Sequence, residues 1–186
     1  VTYGGQTHPT DGNACMIVTT PDKAQEFSSD KNIVVKIKGF GMARAANGYM
    51  PEAPVPAAHR ALESAGLKLD DIDAIKTHNP FAVNDAYFVK ETGFDINKMN
   101  NYGCTLVWGH PQAPMGVRGV IELIEEMVIK GGGNAIHDVA QQGAQFILGD
   151  ARRCQQQGGD KRGENILHAT APPFRLPGWL RARRRC

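Results

Sequence analysis

Residues Asn101–Lys130 read NYGCTLVWGHPQAPMGVRGVIELIEEMVIK, and the fold follows from this stretch. Val117, Val120, Ile121, Ile124, Met127 and Val128 recur at three- and four-residue steps, while Arg118, Glu122, Glu125 and Lys130 fall mainly on the other side. That is the pattern of an amphipathic helix packed on one face. Pro111 and Pro114 suit its entrance, and Gly131-Gly132-Gly133 stops it. His110 therefore stands in a glycine-bounded turn just ahead of a helix, whose unpaired N–H groups carry partial positive charge. On spacing alone two readings stay open: a turn histidine touching solvent, or an imidazole presented to a reacting group.

Working outward, strands and helices alternate. Ala14–Thr19 reads as a short buried strand and Pro21–Ser29 as a surface helix. Asn32–Ala45 contains the clearest strand, alternating from Ile33 to Phe40, with Gly39 and Gly41 pointing to a bulge or a close backbone approach. Ala53–Ala65 is a helix stopped by Gly66, Asp73–Thr77 a short strand, and Phe81–Thr92 a helix closed by Gly93. Asp85 intrudes on the stripe Phe81, Ala82, Asp85, Phe88, Val89 of that helix. Gly103 onward reads as a strand or extended turn leading into the long helix. This order implies a layered α/β domain, with helices against a mixed sheet. The sequence lacks a GxGxxG fingerprint, a Walker A loop, a GxSxG elbow and an HExxH pair.

The 186 residues, 41% hydrophobic and 22% charged, suffice for one domain with a core. The sequence has no apolar run of about 18 residues, so no membrane partner is expected. Its start, without Met and without a basic-then-apolar leader, is expected to be a cut from something longer. Cys15, Cys104, Cys154 and Cys186 show no zinc spacing, so no metal is expected and a reducing cytoplasm is the default. Cys15 and Cys104 are expected to be small buried residues. Nine Lys and Arg against two Asp and Glu fall in residues 151–186. Without interleaved aromatics or a binding fold, that basic tail does not point to nucleic acid.

Several separated segments, in order, resemble the carboxyl-terminal half of the thiolases. Thr2–Gly12 (TYGGQTHPTDG), Pro54-Val55-Pro56-Ala57, Gly66-Leu67 through Asp73, and the Gly109-His110-Pro111 turn each have a counterpart there. The resemblance implies an acyltransferase acting on acyl-CoA thioesters through a cysteine acyl-enzyme, with coenzyme A thioester as substrate and no permanently bound cofactor. It implies that His110 is base and oxyanion donor. Thr7 falls where the family's serine approaches coenzyme A, with His8 and Pro9 beside it. His78-Asn79-Pro80-Phe81 stands where most members carry asparagine-glutamate-alanine-phenylalanine and is similar to the sterol-carrier-protein type. His78 is thereby implied as a second oxyanion contact, against a space-filling strand-end histidine, and Asn79 as either a turn former or a site residue.

Two parts of the family pattern are missing. The nucleophilic cysteine belongs to an amino-terminal half that these residues do not include, so the isolated chain is expected to be inactive. The family's cysteine-x-glycine motif, counted forward from His110, falls on Ala140 with Gln142 in place of glycine. The expected organisation is a thiolase-like domain at 1–130, a degenerate remnant of the final strands at 131–150, and a basic, disordered or adventitious tail at 151–186. A frame shift after Lys130 and a divergent tail both account for that end. The resemblance further implies a homo-oligomeric parent and a long helix that exposes apolar surface when its partner layer is absent. The alternatives are a non-catalytic thiolase-like binding or scaffold protein and, less well matched, a ketoacyl-synthase-type condensing enzyme.

Overall fold

A computed structural model describes residues 2–139, 144–149 and 166–168. The strands are β1 (Ile17–Thr19), β2 (Val35–Met42), β3 (Ala74–Thr77), β4 (Asn134–Val139), β5 (Ala144–Gly149) and β6 (Ile166–His168). The helices are α1 (Pro21–Phe27), α2 (Pro54–Ala65), α3 (Ala82–Thr92), the single turn α4 (Thr105–Trp108) and α5 (Met115–Lys130). The strands form one mixed sheet in the order β1-β6-β2-β5-β4-β3, parallel between β3 and β4 and antiparallel at the other pairings. The α/β class expected from the alternation of elements is the class observed.

Strand parity builds the layers, since successive side chains point to opposite faces. Ala74, Ala135 and Leu148 face α5 and meet Val120, Leu123, Ile124 and Met127. Their neighbours Ile75, Ile136 and Ile147 face the other way, onto Ala58, Ala61 and Leu62 of α2 and Phe88 of α3. Helices thus cover both faces of β3, β4 and β5, which suits the Ala and Ile these strands place at 74, 75, 135, 136 and 147.

β2 lies against α2 with almost no space between backbones. A Cβ on Gly39 would sit 2.6 Å from the Ala61 carbonyl oxygen, and one on Gly41 would strike the Ala57 carbonyl. Only glycine permits that approach. The register of β2 against β5 also shifts between Ile37 and Gly39, so the strand has both the bulge and the close contact. Ser64 adds a side-chain tie, accepting from the Phe40 N–H at 2.9 Å.

Several expectations are corrected. Ile17 and Val18 of β1 are exposed, so this strand at the sheet's edge is not a buried one. Residues 105–108 form a helical turn rather than a strand, despite the strand-prone Thr-Leu-Val-Trp composition. Gly103 and Gly109, both at positive φ, bend the chain on either side and leave room for one turn only. On α3, Ala82 is exposed, and the inward positions are Asn84 and Phe88. Cys15 is exposed and Cys104 half-buried, not small core residues. Strands β4 and β5 lie in the middle of the sheet, and β6 pairs with β1 and β2. Ala140, Gln142, Cys154 and Cys186 lie outside the described residues. The exposed-helix expectation meets a graded surface on α5: Val117, Ile121 and Val128 are half-buried, and Ile129 is exposed.

Candidate functional site

The site begins at the carboxyl end of β3, where the chain leaves the sheet as Thr77-His78-Asn79-Pro80. The alternation of the strand continues through this exit. Lys76 points to the α5 side, where it pairs with Glu122, whereas Thr77 and Asn79 point to the α3 side. Continuing that parity puts His78 with Lys76, toward the turn between α4 and α5. There the His78 Nε2 lies 2.5 Å from the Nε2 of His110, with ring centroids 4.7 Å apart and planes tilted by 53°. An N···N hydrogen bond needs one donor and one acceptor, so the two facing nitrogens hold one proton between them. His78 is 2% exposed and His110 8%.

His78 is a weak base in this position. Burial comes first, followed by the imidazoles of His110 and His137, and together they push it down to about 4. His137, on β4, is fully buried beside Lys76. Its Nδ1 donates to the Lys76 carbonyl at 3.1 Å, and burial also lowers it to about 4. Its ring lies directly over Gly119 of α5, where any Cβ would collide with it.

On the opposite side of the same exit, Asp85 gathers the odd-numbered side chains. Its carboxylate accepts from Thr77 Oγ1 at 2.7 Å, Asn79 Nδ2 at 2.5 Å and Asn100 Nδ2 at 3.1 Å. Burial raises its pKa, and the three hydrogen bonds work against that rise. The carboxylate that breaks the apolar stripe of α3 thus clamps the His78-Asn79 segment from behind. Asn100, which also donates to Thr77 Oγ1, adopts a left-handed φ of 51° to complete the cluster.

The amino-terminal segment runs between the two histidine-bearing turns. The Thr7 N–H donates to the Pro80 carbonyl at 2.8 Å, and Thr7 Oγ1 donates to the Thr105 carbonyl at 2.6 Å. The His110 N–H donates to the His8 carbonyl at 2.8 Å, and Pro9 bridges to His110. These segments wall an open cleft of about 570 Å³ lined by Thr7, His8, Pro9, Met50, Phe81 and His110, among others. The structure therefore gathers Thr7, His8, Pro9 and His110 on the cleft and places His78 behind His110. Asn79 is turned away, onto Asp85. Among the described residues no group of three or more His, Cys, Asp or Glu is arranged to hold a metal ion.

Residues 31–149 match the family described as "Thiolase, C-terminal domain". The chain belongs to the thiolase family. Among its relatives, the acetyl-CoA acetyltransferase of Escherichia coli (strain K12) is 31% identical over 127 residues, covering 68% of this chain and 32% of the relative. The 3-ketoacyl-CoA thiolase of Aliivibrio salmonicida is 33% identical over 130 residues, covering 68% and 33%. In structure, the chain resembles Bacillus anthracis acetyl-CoA acetyltransferase with a TM-score of 0.60 and 28% identity, over 69% of this chain and 33% of that one. Human mitochondrial 3-ketoacyl-CoA thiolase gives a TM-score of 0.57 and 26% identity, over 74% and 31%. This thiolase chain spans about one third of the length of these relatives.

The sequence singled out neither Asp85 nor His137 for the site. Asp85 had a signal, a lone carboxylate on an apolar helical stripe seven residues after His78. His137 had only its place in an alternating strand, inside a segment that otherwise looked degenerate.

Proposed function

We propose that this chain is the carboxyl-terminal portion of a thiolase-type acyltransferase acting on acyl-CoA thioesters through a cysteine acyl-enzyme. His110 is its base and oxyanion donor, His78 a second oxyanion contact, and Thr7, His8 and Pro9 the strip along which coenzyme A lies. The observation that carries this reading is the buried His78–His110 pair at the wall of the cleft. A thiol of ordinary pKa, about 8.5, is mostly protonated at neutral pH, and an imidazole that accepts its proton raises the attacking fraction. The thiolate adds to the thioester carbonyl, the oxygen becomes an oxyanion, and N–H donors fixed in a water-poor wall stabilise that charge. A weakly basic His78 stays neutral through this sequence, so the pair does not lose its hydrogen bond to mutual repulsion.

The reading assigns the attacking cysteine to thiolase residues outside this sequence. Cys15 and Cys104 do not line the cleft. The His-Asn-Pro-Phe segment favours the sterol-carrier-protein type, and a homo-oligomeric parent in a reducing compartment goes with the same assignment. Asn79 is a support for the His78 turn in this account, held by Asp85.

Calorimetric titration of the chain with acetyl-CoA and with free coenzyme A tests the proposal. Acetyl-CoA is expected to bind with an affinity that His110→Ala or His78→Ala weakens, while coenzyme A without the acetyl group is less affected. Equal loss for both ligands would transfer the histidines from the thioester to the carrier. An absence of binding would favour a scaffold protein on the thiolase framework.

A further inference from the structure

Nothing on the His78 side chain itself aims it at His110. Its Nδ1 is buried without a hydrogen-bond partner among the described residues, so no acceptor there fixes the rotation of the ring or the nitrogen that carries its proton. The 2.5 Å approach of the two Nε2 atoms therefore depends on how two backbones are placed, the exit of β3 and the turn that leads into α5. A shift of about 1 Å between them would open the contact beyond hydrogen-bond range.

His137 stands where these two backbones can be held together. It lies on β4 directly opposite Lys76, on the face of the sheet that His78 shares two residues further along β3. Its Nδ1 is 3.1 Å from the Lys76 carbonyl, and because a carbonyl oxygen only accepts, Nδ1 carries the ring proton. The ring is seated on Gly119 of α5, where an added Cβ would come 3.0 Å from Nδ1 and 3.1 Å from Nε2. The Gly116 carbonyl, a turn nearer to His110, favours a proton on the ring in the same sense as the Lys76 carbonyl. Lys76 also ties β3 to α5, through Glu122, but three residues farther from His110 than Gly119. Other strand residues on this face, Ala74, Ala135 and Leu148, meet α5 with apolar atoms alone. An apolar side chain at 137 would fill the place without the cost of burying a polar ring. The donated hydrogen bond is thus the part of His137 that packing does not require.

We propose that His137 is a positioning residue for the His78–His110 pair. Donating from Nδ1 to the Lys76 carbonyl while its ring rests on α5, it holds the exit of β3 against the start of that helix so that the two Nε2 atoms meet. It touches no substrate, and its effect on the reaction passes through the pair, whose fixed spacing is what a preorganised oxyanion site requires. The role rests on the reading of the pair as the thioester site, whereas the pairing itself can be measured with no ligand present.

The test follows, by NMR of the whole isotope-labelled chain, the proton shared by the pair, a downfield resonance coupled to the Nε2 of both His78 and His110. His137→Leu fills the place but cannot donate, and is expected to abolish that coupling while thermal unfolding shows the chain still folded. His137→Asn, whose Nδ2 takes the position of the imidazole Nδ1, is expected to keep it. A coupling that survives in His137→Leu would overturn the proposal. So would its loss in both variants, which would make the shape of the ring the cause and not the hydrogen bond it donates. If His137→Leu does not fold, the wild type decides: an exchange-protected proton on His137 Nδ1 sustains the role, and a proton on Nε2 or no shared resonance in the pair overturns it. All of this is read without acyl-CoA, so a failure here leaves the acetyl-CoA titration to judge the thioester site separately.

Discussion

Acidification should destabilise this protein before its carboxylates are titrated, and the two buried histidines set the size of the effect. His78 and His137 each move from an ordinary value of 6.5 to about 4 on folding. Above pH 6.5 both states hold these rings neutral and nothing is lost. Below it the unfolded chain takes up protons that the folded chain refuses, so stability falls toward pH 4. At about 1.4 kcal/mol per pKa unit, one such histidine costs about 3 kcal/mol by pH 4, and two cost roughly 6 kcal/mol. Asp85, whose pKa is raised, has the opposite sign and offsets part of the loss at the acid end. Against a typical domain stability of about 5–15 kcal/mol, the loss should be plain in urea unfolding midpoints measured at half-unit steps from pH 7.5 to 4.5. His137→Asn should remove about half of the slope. A stability that stays flat from pH 6.5 to 4.5, or a His78 ring proton that titrates near 6.5 in folded protein, would refute the reasoning.

Other perturbations have equally definite signs. Gly119→Ala should destabilise by about 1–3 kcal/mol, because its Cβ would enter the His137 ring, whereas the same change on an exposed helix face would gain about 1 kcal/mol. Thermal unfolding decides between the two. Asp85→Ala leaves Thr77, Asn79 and Asn100 without their shared acceptor and should cost about 3 kcal/mol, with the His78 ring signals shifting in NMR spectra. Lys76→Met strips a buried partner from Glu122, although Arg118 still holds the other carboxylate oxygen at 2.8 Å. A loss of about 3 kcal/mol is expected, and adding Glu122→Gln should recover part of it in the same denaturation assay.

The parts of the fold that were legible are those where one physical rule dominates. The three-and-four spacing of α5 marks its buried face through Val120, Ile124 and Met127, and Leu123, fully buried, lies on the same stripe three residues after Val120 and four before Met127. Gly66, Gly93 and Gly131 end α2, α3 and α5 at positive φ, as glycine stops should. In α4 the local strand propensity of Thr105–Trp108 competes with two flanking glycines at positive φ, and the backbone constraint wins. β1 has the apolar content of a core strand, but its place at the sheet's edge exposes it, and no local pattern carries that information. In the site, the His110 turn and the His78 strand end were visible as motifs. Their contact was not, since it depends on a separation of 32 residues being closed by the sheet. Asp85 was visible only as an anomaly, and its partners arrive from β3 and from Asn100.

The central claim is that the His78–His110 pair receives the thioester oxygen of an acyl-CoA lying along Thr7–Pro9. A crystal structure with a ketone analogue of acetyl-CoA, in which a methylene replaces the thioester sulfur, addresses it most directly. The account predicts the analogue in the cleft, its carbonyl oxygen within about 3 Å of an imidazole nitrogen of the pair. A carbonyl turned away from both histidines, or an analogue bound elsewhere on the protein, would contradict it.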